Sequence, residues 1–405
     1  MLDFLKLSAD YQQALLRQVV PFWLKNGRDN QCGGYFDLLS ATGQAIDGDK
    51  FVALQAQQVY AFAWLYNTLD GQATWLNHAQ HGATFLSQYV FDETHSCYAQ
   101  LDRRGRRVAK ALDTIPDSFL VMAYAHLHRA TGEDEWAMLA KQTFSNLWHQ
   151  WESTRLVESQ EIDTLRKLQH LREPTTLLKA ALEIQSLLPE ETWKETIEAI
   201  LHVILREFLD RRTDTLREYI LSEGSFINTP EGRRLNVGLT FQTAGYLLDL
   251  CAESGNRKLA MQAISWCLRL CEQAWDEATD GLNQFVDMKN QPAIYADWQQ
   301  KWAWVHVEAV TTLIKGYFYT HHPDCPKWFK RIHDYTFEHF PDSQHIGWHL
   351  AIGKDKQPLM PAKSVPTVGC YSLIRGLAET AQILSKCGQL QPTGRTTMRS
   401  LYPSS

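Results

Sequence analysis

The chain predicts an all-α protein built as a single (α/α)6 barrel, a toroid with long hairpin-bearing loops on one face. Three observations lead there. Helical segments come in pairs, and those that follow long connections begin near residues 51, 116, 175, 236, 298 and 366, about 60 to 68 residues apart. A repeating helix pair marks a helical solenoid or toroid. Connections of about 25 residues alternate with turns of a few residues. The stretch Phe51 to Tyr66, FVALQAQQVYAFAWLY, holds no charge, Gly or Pro. It is apolar on all sides, as a buried helix is.

In chain order, an amphipathic helix over Ser8 to Leu24 leads through the glycine-rich CGGYFDLLSATG into the Phe51–Tyr66 helix. Gln55, Gln57 and Gln58 are its strongly polar side chains, and a buried amide needs hydrogen-bond partners or water, so one end faces a wet cavity. Thr74 to Val90 follows, then YAQLDRRGR, then Pro116 to Ala130. The turn Thr131–Gly132–Glu133 starts an amphipathic helix to Trp151. Thr175 to Leu187, the charged stretch ETWKETIEAILHVILREFLDRR, Asn236 to Ser254 and Lys258 to Trp275 continue the pairs. Trp298 to Tyr319, Pro326 to Phe340 and Pro366 to Lys386 complete them. Six uncharged helices inside and six amphipathic ones outside close a barrel, with the N-terminal ends of the inner set lining a mouth. Residues 1–388 form this domain. The polar tail 389–405 is expected to be poorly ordered.

Composition supplies a large core and excludes several partners. Of 405 residues 44% are hydrophobic, with 14 Trp, 15 Tyr and 17 Phe, while a net charge of −6 is spread evenly. No basic block suits a nucleic-acid backbone or an anionic membrane. No apolar run is long enough to span a bilayer. The N-terminus lacks signal-peptide character, so a cytoplasmic location and reduced cysteines are expected. No His/Cys spacing suits zinc.

Several motifs resemble the N-acylglucosamine 2-epimerase family, which includes cellobiose 2-epimerases and mannose-type aldose–ketose isomerases. They are GGYF (Gly33 to Phe36), the block from Asp47 to Gln55, LREY (Leu216 to Tyr219), Asn236-x-Gly238, and Lys301-x-x-Trp304-Val305-x-x-Glu308. The resemblance covers residues 10 to 388. It implies an (α/α)6 barrel and epimerase or isomerase chemistry on an open-chain sugar. In that chemistry two histidines move the proton alpha to the carbonyl, and an arginine steadies the enolate oxygen. It implies no metal, and the chain has no P-loop for a nucleotide, so no cofactor is expected. Many such relatives dimerise through their outer helices, so a homodimer is among its implications.

The positions that should carry the chemistry differ. Gln57 stands at the arginine, Leu239 at one base with Gln242 at its carboxylate neighbour, Thr367 at the other base, and Thr176 at a substrate-contacting histidine. The family mechanism therefore does not carry over directly. The expected substrate pocket comprises Tyr35, Gln55, Gln57, Thr176, Leu239, Gln242, Lys301, Trp304, His306, Glu308 and Thr367. Its amides and hydroxyls suit a neutral polyol better than an anion, since Lys301 and Lys363 are the only positive charges offered. His306, Glu308 and His349 are the candidates for a relocated base, while Trp298, Trp302 and Trp304 are candidates to stack a sugar ring. Three alternatives stand: an isomerase with a moved base, a non-catalytic carbohydrate-binding or sensor relative, or an interaction protein using its outer helices.

Overall fold

A computed structural model describes residues 2–160, 168–221 and 224–390. Its helices are α1 (Phe4–Ala14), α2 (Val20–Asn26), α3 (Val52–Thr68), α4 (Ala73–Tyr89), α5 (Ile115–Thr131), α6 (Asp134–Gln160), α7 (Arg172–Ile184) and α8 (Glu190–His202). After the short α9 (Pro230–Arg233) come α10 (Val237–Ser254), α11 (Arg257–Ala274), α12 (Ala303–Thr320), α13 (Cys325–His339) and α14 (Tyr371–Leu390). Helices α3, α5, α7, α10, α12 and α14 pack in that order, and α14 returns to α3. The ring is closed. Around it α1, α4, α6, α8, α11 and α13 form the outer layer, so the fold is an (α/α)6 barrel. No helix among the described residues is long and apolar enough to cross a membrane.

Local signals explain the helix ends. Asn236 caps α10 by accepting the Leu239 N–H, and Gly255 ends it in the left-handed region at φ 69°, a backbone glycine adopts without penalty. Gly132 does the same for α5. Helices α12 and α14 begin later than expected, at Ala303 and Tyr371 rather than Trp298 and Pro366. Lys301–Trp302 is first drawn into a strand with Ala351–Ile352, and Val365 and Val368 pair across a turn before α14. The last helix extends to Leu390, and residues 391–405 of the expected tail lie outside the described residues.

Short strands join the long loops to each other. Lys50–Phe51 pairs with Tyr98–Leu101, whose own hairpin partner is Arg107–Lys110. Leu168–His170 pairs with Tyr219–Leu221, and Arg234–Asn236 with Phe285–Asp287. Leu39–Ser40 of the first long loop pairs with Ala362–Ser364 of the last. Most neighbouring loops are thus joined above the helices. Backbone hydrogen bonds between neighbours satisfy groups that would otherwise be stranded at a crowded mouth.

One expectation is corrected. Of the six inner helices only α3 lacks charged side chains. Helices α7, α10, α12 and α14 carry charges in balanced pairs: Lys179 with Glu183 at 2.6 Å, Lys315 with Asp249 at 2.8 Å and with Glu379 at 2.7 Å, and Arg375 with both Glu308 and Glu379. His126 and Tyr60 add hydrogen bonds to Glu183. A buried charge persists when its partner and remaining hydrogen-bonding sites are supplied. Six helices facing one axis supply them.

Candidate functional site

A cavity of about 270 Å3 lies at the mouth, and every inner helix or the segment leading into it contributes to its wall. Gln57 comes from α3, Phe119 from α5, Thr176 from α7, Leu239 and Gln242 from α10, Trp304 from α12, and Thr367 with Tyr371 from the α14 junction. Strand-borne His170, Asn236 and Trp302 line it as well, together with Arg172 at the start of α7. The side chains form two sets. Aromatic rings offer apolar faces, while amides and hydroxyls offer paired donors and acceptors.

Close packing sets Trp304 in place. Gly238 lies in the first turn of α10, and a Cβ there would come within 2.3 Å of the Trp304 ring. The glycine lets the indole lie against the helix and reach the cavity. Beside it, Gln242 donates through Nε2 to Glu308 at 3.0 Å, and Glu308 also takes an ion pair from Arg375. Glu308 is 1% exposed and sits behind Gln242, outside the cavity wall.

Six of the expected pocket residues come together here: Gln57, Thr176, Leu239, Gln242, Trp304 and Thr367. The two positions matched to the family's bases, Leu239 and Thr367, both line the cavity, and neither side chain takes up a proton at neutral pH. The other five expected pocket residues are spent elsewhere. Tyr35 is fully buried, stacked on His78, with its hydroxyl on the His78 carbonyl. Gln55 clamps the first loop, accepting the Tyr35 N–H at 2.8 Å and donating to the Tyr35 carbonyl and to Asp37. Lys301 pairs with Asp276 at 2.8 Å, and Lys363 pairs with Asp342. Neither lysine offers charge to the cavity.

The candidate bases are similarly placed. His306 is completely buried: its Nδ1–H donates to the Trp302 carbonyl at 2.8 Å, and its Nε2 accepts the Leu282 N–H at 2.9 Å. Burial foremost lowers its pKa to about 3. It is a neutral structural crosslink. His349 lies in the last long loop, 3.8 Å from Asp342, and does not line the cavity. Trp298 is buried beside Phe285, while Trp302 and Trp304 reach the wall.

Reading the sequence missed His170 and Arg172. The antiparallel pairing sets His170 opposite Tyr219, next to Glu218. His170 donates through Nε2 to Glu218 at 3.2 Å, and its Nδ1 accepts the Arg172 N–H at 2.9 Å, capping the first turn of α7. Arg234 donates to both Glu218 oxygens at 2.6 and 3.0 Å. Burial opposes ionisation of Glu218, but hydrogen bonds from His170 and Arg234 outweigh it and hold the carboxyl below its usual range. The guanidinium of Arg172 has no hydrogen-bond or ion-pair partner among the described residues and stays open to solvent. Desolvation by the surrounding cavity wall lowers its pKa, and the charge of Asp113 opposes that. Its position just before Pro174, where an inner helix begins, was the available signal.

Comparison with known proteins fits this geometry. Residues 34–368 match the family described as N-acylglucosamine 2-epimerase (GlcNAc 2-epimerase). The chain is 27% identical to the N-acylglucosamine 2-epimerase of Rattus norvegicus over 399 residues, covering 95% of this chain and 93% of the rat protein. It is 24% identical to the cellobiose 2-epimerase of Ruminococcus albus, covering 87% of this chain and 92% of that one. A solved sugar epimerase from a ruminal bacterium shares the fold at a TM-score of 0.80 with 19% identity, over 93% of this chain and 98% of that one. By its matched residues and by the fold that carries them, the chain belongs to the N-acylglucosamine 2-epimerase family.

Proposed function

We propose that this protein binds a carbohydrate in the mouth cavity and does not carry out the proton transfer at C2 that its relatives' names describe. The observation that carries this reading is the engagement of both nitrogens of His170, the imidazole on the wall. Among the described residues the other titratable side chains there are Arg172 and Tyr371. Arginine is not a base at neutral pH. The Tyr371 hydroxyl is bonded to Tyr246 at 2.7 Å, and burial foremost raises its pKa. A general base needs an accessible lone pair within hydrogen-bond reach of the proton it takes. Amides, hydroxyls and aromatic faces meet the requirements of sugar binding alone.

The test is titration of N-acetylglucosamine, N-acetylmannosamine, mannose, glucose and cellobiose, followed by NMR in heavy water. Saturable binding of at least one sugar without deuterium entering at C2 is the expected result. Deuterium incorporation that depends on the protein would refute it.

One contact favours a second reading in which isomerase activity persists. The Glu218–His170 pair has the carboxylate–imidazole form that orients a general base. His170 would then have to release the Arg172 N–H to free Nδ1. Under this reading C2 exchange occurs and is lost in His170→Gln.

A further inference from the structure

We infer that the carbohydrate recognised in the mouth cavity carries a negatively charged group, a carboxylate or a phosphate, and that Arg172 receives it. The inference rests on the carbohydrate-binding reading above and specifies its ligand class.

The charges around the cavity do not cancel at its surface. Glu218 is neutralised behind the wall by Arg234, and Glu308 is neutralised by Arg375. Among the described residues no carboxylate lines the cavity itself. The lysines Lys301 and Lys363 are consumed by Asp276 and Asp342. Among the described lining residues Arg172 is therefore the one cation without an acid beside it. No carboxylate of the described residues lies within ion-pair distance of it, whereas Lys50, Arg217, Arg233 and Arg234 each have one. A cation in a concave, partly desolvated site concentrates positive potential there.

Neutral sugar hydroxyls do not need this arrangement, because the amides of Gln57, Gln242 and Gln284 already supply donors and acceptors. The planar fork of a guanidinium matches the two oxygens of a carboxylate or phosphate. Arg172 is also the first residue of α7, where the helix dipole adds to the same sign. Its backbone N–H is held by His170, which fixes the point from which the side chain projects.

The experiment is calorimetric titration of the full chain, at low salt, with matched pairs. N-acetylglucosamine and N-acetylmannosamine are each compared with their 6-phosphates, and glucose is compared with glucuronate. At least one anionic member should bind tenfold or more tightly than its neutral partner. The 6-phosphates and glucuronate distinguish which oxyanion is preferred. Arg172→Gln should narrow that preference to within twofold, and Arg172→Lys should keep part of it, with unchanged thermal melting in both. Neutral sugars binding as tightly as every anionic partner, or a preference that survives Arg172→Gln, would overturn the inference while leaving carbohydrate binding intact. Failure of every sugar to bind would overturn both.

Discussion

Gln242 and Glu308 are joined by a 3.0 Å hydrogen bond that turns the amide, not the carboxylate, toward the cavity. Where the resemblance sets a carboxylate beside a catalytic histidine, this chain has an amide beside Leu239. The remaining acid is held behind it by Arg375.

If chemistry was lost by substitution within a preserved cavity, restoring the side chains should restore part of it. The triple variant Gln57→Arg, Leu239→His, Thr367→His is expected to raise C2 proton exchange of a bound sugar about 100-fold above the parent background, the lower end of what general acid–base groups supply. Exchange is read by NMR in heavy water. A folded, sugar-binding triple variant with no gain would show that more than side-chain identity separates this chain from its relatives.

Arg375 is 2% exposed and serves two acids at once. Arg375→Met should therefore destabilise the barrel by about 3–5 kcal/mol, since Glu308 is left buried without its cation. Glu308→Gln should cost less, because Arg375 keeps Glu379. Urea denaturation of the two variants gives the order, and the reverse order would contradict the pairing.

Acidic and alkaline stability should depend on different groups. Burial opposes ionisation of Glu379, but Arg375, Lys315 and Lys179 outweigh it and lower its pKa to about 2. Its stabilisation is complete above the ordinary carboxylate range and is lost as pH falls toward 2. Asp117 has the opposite sign. Burial foremost raises it to about 7, and its Oδ2 has no hydrogen-bond partner among the described residues. Its contribution is present below about pH 4 and is lost as pH rises through 7. Asp117→Asn should accordingly stabilise the protein at pH 8 by roughly 1–3 kcal/mol more than at pH 4. Melts at the two pH values decide it, and a variant weaker than the parent at pH 8 is the contrary result.

Gly238→Ala tests the seat of Trp304. The added Cβ meets the indole at 2.3 Å, so the ring must shift from the cavity wall. The expected stability loss is about 1–3 kcal/mol. Sugar affinity should fall by roughly tenfold as the stacking face moves. Unchanged affinity would exclude Trp304 from the ligand's surroundings.

How much was legible in the sequence follows from the range over which each feature is decided. Paired helices at a regular period, the uncharged α3, and the turns at Gly132 and Gly255 are local patterns, and they were enough to predict the barrel and the face on which its mouth opens. Gln57, Thr176, Leu239 and Gln242 were legible because they lie in the first two turns of inner helices, which face the mouth, whereas Thr367 reaches the wall from the segment just before α14. Only tertiary structure decided the fate of Lys301, His306 and Glu308. Each shares a short stretch of chain with Trp304, yet Asp276, the Leu282 N–H and Arg375 draw them away from the cavity. It also decided that His170 and Arg172 belong to the wall, since their positions follow from pairing Leu168–His170 with a strand about 50 residues away. Helical period is a property of neighbouring residues. The direction of a charged side chain depends on which distant partner offsets the cost of burying it.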